Sequence, residues 1–119
     1  MTTSRIERID AGLRMSEAVI HGDKIYLSGM VPDAAAGGSV AEQTRDVLAQ
    51  IDALLAQAGT NKTRILKANI WLTDIATIGE MNRVWDAWVV PGQTPARATV
   101  EAKLADPNWA VEIMVEAAL

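Results

Sequence analysis

The stretch LKANIWLTDIATIGEMNRVWDAW, residues 66–88, followed by TPARATVEA, residues 94–102, decides the fold of this chain. Residues 66–72 are largely apolar, which is typical of a buried strand. A helix is predicted to start near Thr77, because Thr77 and Glu80 have the spacing of a capping box, in which two side chains satisfy amides at the helix start. The apolar residues of this helix recur at helical spacing: Ile78, Met81, Trp85 and Trp88.

The TPARATVEA segment alternates with a period of two, which indicates a half-buried strand that continues to residue 104. The positions expected on its buried face are apolar: Ala98, Val100, Ala102 and Leu104. The positions on its other face are polar: Arg97, Thr99, Glu101 and Lys103. Strand, helix and strand over residues 66–104 predict a βαβ unit, whose two strands are parallel and joined by a right-handed crossover.

Three shorter strands and a longer helix are expected before this unit. The strands cover residues 6–10, 17–21 and 24–28. Gly22 and Asp23 form the turn of a hairpin between the last two strands. The helix starts at Ser39, which forms a capping box with Glu42, and Gly59 is suited to end it in a left-handed conformation.

A final strand over residues 111–119 completes the set, so residues 1–119 are interpreted as a single domain. The order of elements predicts an α+β fold, a mixed sheet with two helices packed on one face. No third helix is predicted that could cover the other face. Burying that face against copies of the same chain is the economical arrangement, so an oligomer is inferred.

Composition excludes several classes of function. The chain has 119 residues, no cysteine and one histidine, His21, which is expected in an exposed turn. A histidine-rich or sulfur-ligated metal site is therefore excluded within one chain, and no metal is expected. The net charge is −4 and the 11 Lys and Arg are scattered, so nucleic acid is not an expected partner. No apolar run could span a membrane and residues 1–10 lack an apolar signal core, which favours the cytoplasm.

Arg97 and Glu112 lie on the polar faces of the last two predicted strands. In one interpretation these faces are solvated, with Glu112 and Glu116 exposed or paired with Lys103. In the other, Arg97 binds an anion, because a planar guanidinium offers a fork of donors that matches a carboxylate. A partly buried carboxylic acid nearby can have a raised pKa and shuttle a proton. These two groups suffice only for an intrinsically easy reaction, such as the hydrolysis of an imine.

Six segments, spaced from about Met15 to the C-terminus, carry a family resemblance. They are YLSGM at 26–30, EQTRDVLAQIDALLAQAG at 42–59, WLTDI at 71–75, MNRVWDAW at 81–88, PARATV at 95–100 and VEI at 111–113. The linked PAR and VEI motifs are the most specific part. Together the segments resemble the RidA family, also called YjgF, of reactive-intermediate deaminases. The segments VIHGDKIYLSG and WDAWVV are more similar to the YoaB-like branch of that family.

The resemblance implies a chorismate-mutase-like fold assembled as a homotrimer, with the sheets in an inner barrel and clefts between adjacent subunits. It implies hydrolysis of enamines and imines, such as 2-aminoacrylate to pyruvate and ammonia, with no metal or organic cofactor. By position, Arg97 would bind the substrate carboxylate and Glu112 would lie near the attacking water. Ser28, Asn82 and Thr99 match pocket positions of the family, Thr99 at a place where cysteine is common.

This sequence departs from the family pattern at two places. The family's Pro-Tyr-Ser reads RMS at residues 14–16, so Met15, which can only pack, replaces a phenol. The family's Ser-Gly-Gln reads SGM at 28–30, so Met30 replaces a second polar group. A more apolar pocket favours larger imino acids or weaker activity, and the role of Arg14 is open.

A second function remains open for the same cleft. A non-catalytic protein could use Arg97 to bind 2-oxo acids or related small carboxylates and regulate a partner. A ribonuclease or translation-inhibitor activity, which has also been attached to the family, receives little support from the acidic charge balance and the single histidine.

Overall fold

Eight principal elements follow one another in the computed structural model, which describes residues 5–119. They are β1 (Ile6–Ile9), β2 (Ala18–His21), β3 (Lys24–Leu27), α1 (Val40–Gln57), β4 (Ile65–Leu72), α2 (Ile78–Trp88), β5 (Ala96–Glu101) and β6 (Val111–Ala118). Short 3₁₀ turns at Lys62–Arg64 and Ile75–Thr77 precede β4 and α2. Every predicted strand and helix is present, with ends that differ by a few residues. The single-domain prediction also covers residues 1–4, which lie outside the described part.

The strands of residues 5–119 form one mixed sheet in the order β1-β2-β3-β6-β4-β5. β4 and β5 run parallel, with Ala68 opposite Arg97, and all other neighbours run antiparallel. Because α2 connects β4 to β5, the predicted βαβ unit is confirmed. β6 lies between β3 and β4, so the two strands that carry Arg97 and Glu112 are not neighbours.

Both helices pack on one face of this sheet through their apolar stripes, which confirms the predicted α+β architecture. The helical part of the core includes Val47, Leu48, Ile51, Leu55, Met81 and Trp85. The alternate residues of β6 that were predicted to share a face lie beneath the helices, fully or almost fully buried: Val111, Ile113, Val115 and Ala117. Among the described residues, no helix combines the length and apolar character needed to cross a membrane.

The start of α1 forms as predicted. The Ser39 hydroxyl accepts a hydrogen bond from the Glu42 amide at 3.1 Å, and the Glu42 carboxylate accepts one from the Ser39 amide at 3.1 Å. Gly59, just beyond the helix, has a φ of 81°, the left-handed conformation that glycine adopts at low cost.

The predicted capping box of α2 is wrong. Thr77 makes no capping hydrogen bond, because its backbone belongs to the preceding 3₁₀ turn and lacks the extended conformation of an N-cap residue. Its hydroxyl donates to the Asp74 carbonyl at 2.6 Å. Glu80 has a more distant partner, since its carboxylate accepts from the Ala41 amide at 2.8 Å. Glu80 therefore satisfies an amide in the first turn of α1 and joins the two helices.

The predicted faces of β5 are also reversed. Residues opposite each other in a parallel pair point to the same side of the sheet, and the register places Arg97, Thr99 and Glu101 beside buried residues of β4. Arg97 therefore lies on the helix-covered face, whereas Val100 lies on the open face and is 51% exposed. The physical reason is that β5 is an edge strand, so its polar side chains reach past the core to the rim of α2.

The second face of the sheet has no cover within residues 5–119, as predicted. Tyr26 and Val100 on this face are exposed, and Lys67 forms an ion pair there with Glu116 at 3.6 Å. Leu13, in the loop between β1 and β2, is fully exposed. These apolar side chains leave a surface suited to association with another protein chain.

Candidate functional site

Arg97 is held at the rim of the sheet by two residues of α2. Its Nη1 donates a hydrogen bond to Asn82 Oδ1 at 2.8 Å, and its guanidinium carbon lies 5.3 Å from the centroid of the Trp85 ring. Asn82 and Trp85 are three residues apart on a helix and therefore share a face. No carboxylate among residues 5–119 lies within ion-pair distance of Arg97. The exposed guanidinium thus keeps an unpaired charge and free donors for an anion.

Thr99 lies two residues beyond Arg97 on the same face of β5. Its hydroxyl oxygen is buried and has no hydrogen-bond partner among the described residues. A buried hydroxyl without a partner is costly, so it is available to a bound group. Arg97, Asn82 and Thr99 together form what we call the anion half-site.

Glu112 lies on the opposite face of the sheet, beside a cavity of about 500 Å³. The cavity is lined by Met15, Ser28, Met30, Val31, Trp109 and Glu112, among others. Partial burial raises the pKa of the Glu112 carboxyl above the usual value, because burial disfavours the charged form. We call this cavity the acid half-site.

Gly29 is required by the close approach of Glu112. A Cβ atom at position 29 would overlap the Glu112 carboxylate, so any other residue would displace the acid. The Ser28 hydroxyl beside it is buried and has no partner among the described residues. Met30 pairs through both backbone groups with Ile113, which fixes this segment next to β6.

The loop after Met30 is fixed by a carboxylate of α1. Asp46 accepts hydrogen bonds from the Asp33 amide at 2.7 Å and the Ala35 amide at 2.9 Å. Burial of Asp46 opposes ionisation, but these amides and Gln50 hold its pKa below the usual value. The same Gln50 donates to the Val31 carbonyl at 2.9 Å. One wall of the acid half-site is therefore anchored to the helix layer.

A single chain does not bring Arg97 and Glu112 together. Glu112 is opposite Trp71 of β4, whereas Arg97 is opposite Ala68, and these two residues of β4 face different sides of the sheet. Within one chain, the polar side chains of the last two strands therefore do not meet. The reason is the strand order, which inserts β4 between the two strands, and the reversed faces of β5.

The structure also gives the positions of three residues, Glu116, Arg14 and His21, for which the sequence had suggested a partner or a place. Glu116 pairs with Lys67 rather than with Lys103. Arg14 is exposed and does not line the acid half-site, although Met15 does. His21 ends β2 as an exposed residue of the predicted hairpin.

Sequence reasoning missed three residues that form or support these half-sites. Trp85 was predicted only as part of the apolar stripe of the helix; it is 5% exposed, and it also supports the Arg97 guanidinium. Because Trp85 is three residues from Asn82, both lie on one face of the helix, and this spacing could have indicated that Trp85 is near the site. Trp109 lies in an irregular loop, so no periodicity pointed to it. Glycine is required at position 29 because the Glu112 carboxylate approaches it closely. Glu112 is distant in the sequence, so no local pattern indicated this requirement.

The fold and the two half-sites define a class, a small two-layer α+β protein that presents an arginine on one sheet face and a carboxyl on the other. Within that class the chain belongs to the YjgF/RutC family, because the family model described as Endoribonuclease L-PSP matches residues 5–119.

Similar proteins agree with this membership over nearly the full length. A RutC family protein of Haemophilus influenzae is 47% identical over 92% of this chain and 95% of its own. The RutC family protein YoaB of Escherichia coli strain K12 is 46% identical over 96% of this chain and 98% of its own, as expected for the YoaB-like branch. A YjgF family crystal structure from Neisseria meningitidis has a TM-score of 0.92 at 52% identity, over 96% of this chain and 94% of that one.

Proposed function

We propose that this chain is an enamine/imine deaminase that hydrolyses reactive 2-imino acids, such as 2-aminoacrylate, to 2-oxo acids and ammonia. The observation that carries the proposal is the unpaired Arg97 guanidinium, held by Asn82 and Trp85 and able to bind a carboxylate. The raised pKa of Glu112 supplies a group suited to proton transfer.

The proposed active site is completed by a second copy of the chain. The anion half-site and the acid half-site face opposite sides of one sheet, so only different chains can bring them together. A homotrimer with inter-subunit clefts and a chorismate-mutase-like arrangement would also bury the open sheet face. The exposure of Leu13, Met15 and Val100 supports such an interface.

In the proposed mechanism, Arg97 binds the carboxylate of the substrate through two parallel hydrogen bonds. Glu112 of the neighbouring copy orients a water molecule and accepts its proton as the oxygen attacks the imine carbon. The C=N electron pair moves to nitrogen, which takes up a proton to give a tetrahedral adduct. Protonation of this amine then breaks the C–N bond, ammonia leaves, and the hydroxyl loses its proton to form the 2-oxo acid. Positioning supplies much of the catalysis, a contribution of roughly 7–11 kcal/mol in well-oriented reactions.

The acid half-site supports a preference for apolar substrate side chains. Met15 and Met30 are flexible thioethers that adapt to different shapes, and Trp109 adds an aromatic wall. Ser28 offers a free hydroxyl to the polar end of the substrate or to water.

A second function is favoured by one observation, namely that the anion half-site is complete without Glu112. A non-catalytic protein could bind 2-oxo acids through Arg97, Asn82 and Thr99 and act in regulation. Glu112→Gln separates the two functions. If the chain is an enzyme, the unsubstituted protein releases ammonia, whereas the variant releases none but still binds 2-oxobutyrate. If it is a binding protein, neither the unsubstituted protein nor the variant releases ammonia.

Substitution of Arg97 tests the proposed activity. Arg97→Ala should lower ammonia release from imines generated by an amino-acid oxidase by at least about a hundredfold, because substrate orientation is lost. Arg8→Gln is the matched control, since Arg8 is an exposed arginine of β1, at the other edge of the sheet. Unchanged turnover in a folded Arg97→Ala protein would refute the proposal.

A further inference from the structure

A second cavity lies on the outer side of the helix layer, apart from both half-sites. It is an open groove of about 650 Å³ between α1 and α2, a volume within the usual range for small-molecule sites. Small residues on both helices form the groove, namely Ala41, Ala49 and Ala87, and Leu48 and Val84 supply an apolar floor. None of the proposed catalytic or substrate-binding residues lines it.

The charged side chains that line this groove differ in whether they already have a partner. Two carboxylates in the lining already have partners: Glu80 accepts from the Ala41 amide, and Asp52 accepts from the Trp88 indole at 2.9 Å. Three cations also line it, Arg45, Lys62 and Arg83, and none forms an ion pair within residues 5–119. The lining thus carries net positive charge on a chain whose net charge is −4.

Trp88 gives the groove an aromatic surface. Trp88 is half-buried, and its ring lies 5.5 Å from the Trp85 ring at a tilt of 48°, with the Lys62 ammonium 5.3 Å from its centroid. Aromatic rings favour tilted or offset contacts with other rings, and arginine side chains also stack on aromatic faces. The groove therefore combines the two recognition elements that an aromatic anion requires.

We propose that the α1–α2 groove binds a small aromatic carboxylate, with the ring against Trp88 and Val84 and the carboxylate between Arg45 and Arg83. The groove is short, because the 11 residues of α2 span about 16 Å. A small molecule therefore fits it better than a helical peptide does. This site is independent of the proposed deaminase site, since it uses neither Arg97 nor Glu112.

Indole N–H resonances of ¹⁵N-labelled protein provide the test, because the chain has four tryptophans and Trp88→Phe identifies the one in the groove. The probe is 1-naphthylacetate, and its neutral analogue 1-naphthylacetamide is the matched control. We expect 1-naphthylacetate to shift the Trp88 resonance saturably at concentrations that leave the Trp109 resonance unchanged. The neutral amide should bind at least about tenfold more weakly, because it lacks the charge that the arginines recognise.

Variants separate this groove from the other site. The exposed double substitution Arg45→Gln with Arg83→Gln should weaken 1-naphthylacetate binding at least about tenfold without unfolding the chain. Arg8→Gln, which removes a distant exposed arginine, and Arg97→Ala should leave the binding unchanged. Equal binding of acid and amide, unchanged affinity in the double variant, or a shift of Trp109 instead of Trp88 would each overturn the proposal.

Discussion

At the scale of single residues, the proposed site depends on two charged groups, Arg97 and Glu112, whose environments differ. Arg97 is exposed but fixed by Asn82 and Trp85, so it would lose little freedom on binding the proposed anion. Glu112 is partly buried and has a raised pKa. Alternation placed both residues on polar strand faces, and the family resemblance proposed them and Asn82 as site residues. Trp85, which also contacts Arg97, was not among the proposed residues.

The raised pKa of Glu112 predicts a pH-dependent effect on stability. The folded chain holds the Glu112 proton more tightly than the unfolded chain, so the contribution of this group to folding is greatest at acid pH. That contribution is lost as the pH rises through the raised pKa. Glu112→Gln, which is neutral throughout, should therefore raise the Tm at about pH 8 relative to the unsubstituted protein.

Thermal unfolding at several pH values measures this difference. The Tm difference between Glu112→Gln and the unsubstituted protein should shrink towards zero below about pH 4, where the glutamate is protonated in both the folded and the unfolded chain. A stabilisation by Glu112→Gln that grew towards acid pH would contradict the assignment.

Two glycines provide a matched comparison at the same scale. Gly29→Ala should lower both Tm and imine hydrolysis, because the new Cβ would displace the Glu112 carboxylate. Gly79→Ala, on α2, meets no atom within 4 Å and should stabilise the chain by up to about 1 kcal/mol through helix propensity. Circular dichroism melts and activity assays test both variants. Full activity of Gly29→Ala would contradict the inference that the close approach of Gly29 and the Glu112 carboxylate is required for activity.

At the scale of secondary-structure elements, the sequence predicted which elements form but not the contacts between distant ones. The capping box of Ser39 and Glu42 involves neighbours on one turn, so the sequence predicted it. Glu80 bonds instead to Ala41, 39 residues away, and no local pattern could reveal this. The faces of β5 were misassigned for the same reason, since they depend on its register with β4.

The contact between Glu80 and Ala41 predicts a measurable link between the helices. Glu80→Ala should destabilise the fold by about 1–2 kcal/mol, because it leaves an amide of the α1 start without its charged partner. Asp86→Ala, which removes an exposed carboxylate from the same helix, is the control and should change stability by less than about 0.5 kcal/mol. Urea unfolding measures the free energy of unfolding of both variants. Equal destabilisation by Glu80→Ala and Asp86→Ala would show that the hydrogen bond between Glu80 and Ala41 does not stabilise the helix pair.

At the scale of the whole molecule, the sheet leaves one face open and divides the proposed site between its two faces. The sequence predicted the open face from the count of helices, and the described residues agree. It did not predict that Arg97 and Glu112 face opposite sides, because that follows from the registers of β5 and β6 with β4, in which Arg97 is opposite Ala68 and Glu112 is opposite Trp71. The division is the strongest support for the proposal that the active site is completed by a second copy.

Complementation between inactive variants tests this central claim most directly. Arg97→Ala and Glu112→Gln proteins are unfolded together in equal amounts, refolded, and assayed for ammonia release from 2-imino acids. If each cleft takes Arg97 from one copy and Glu112 from the next, every mixed trimer regains one intact cleft, and activity should return to about a quarter of the unsubstituted level. Activity that stays at the level of the separate variants, in a mixture shown to contain mixed oligomers, would contradict the account.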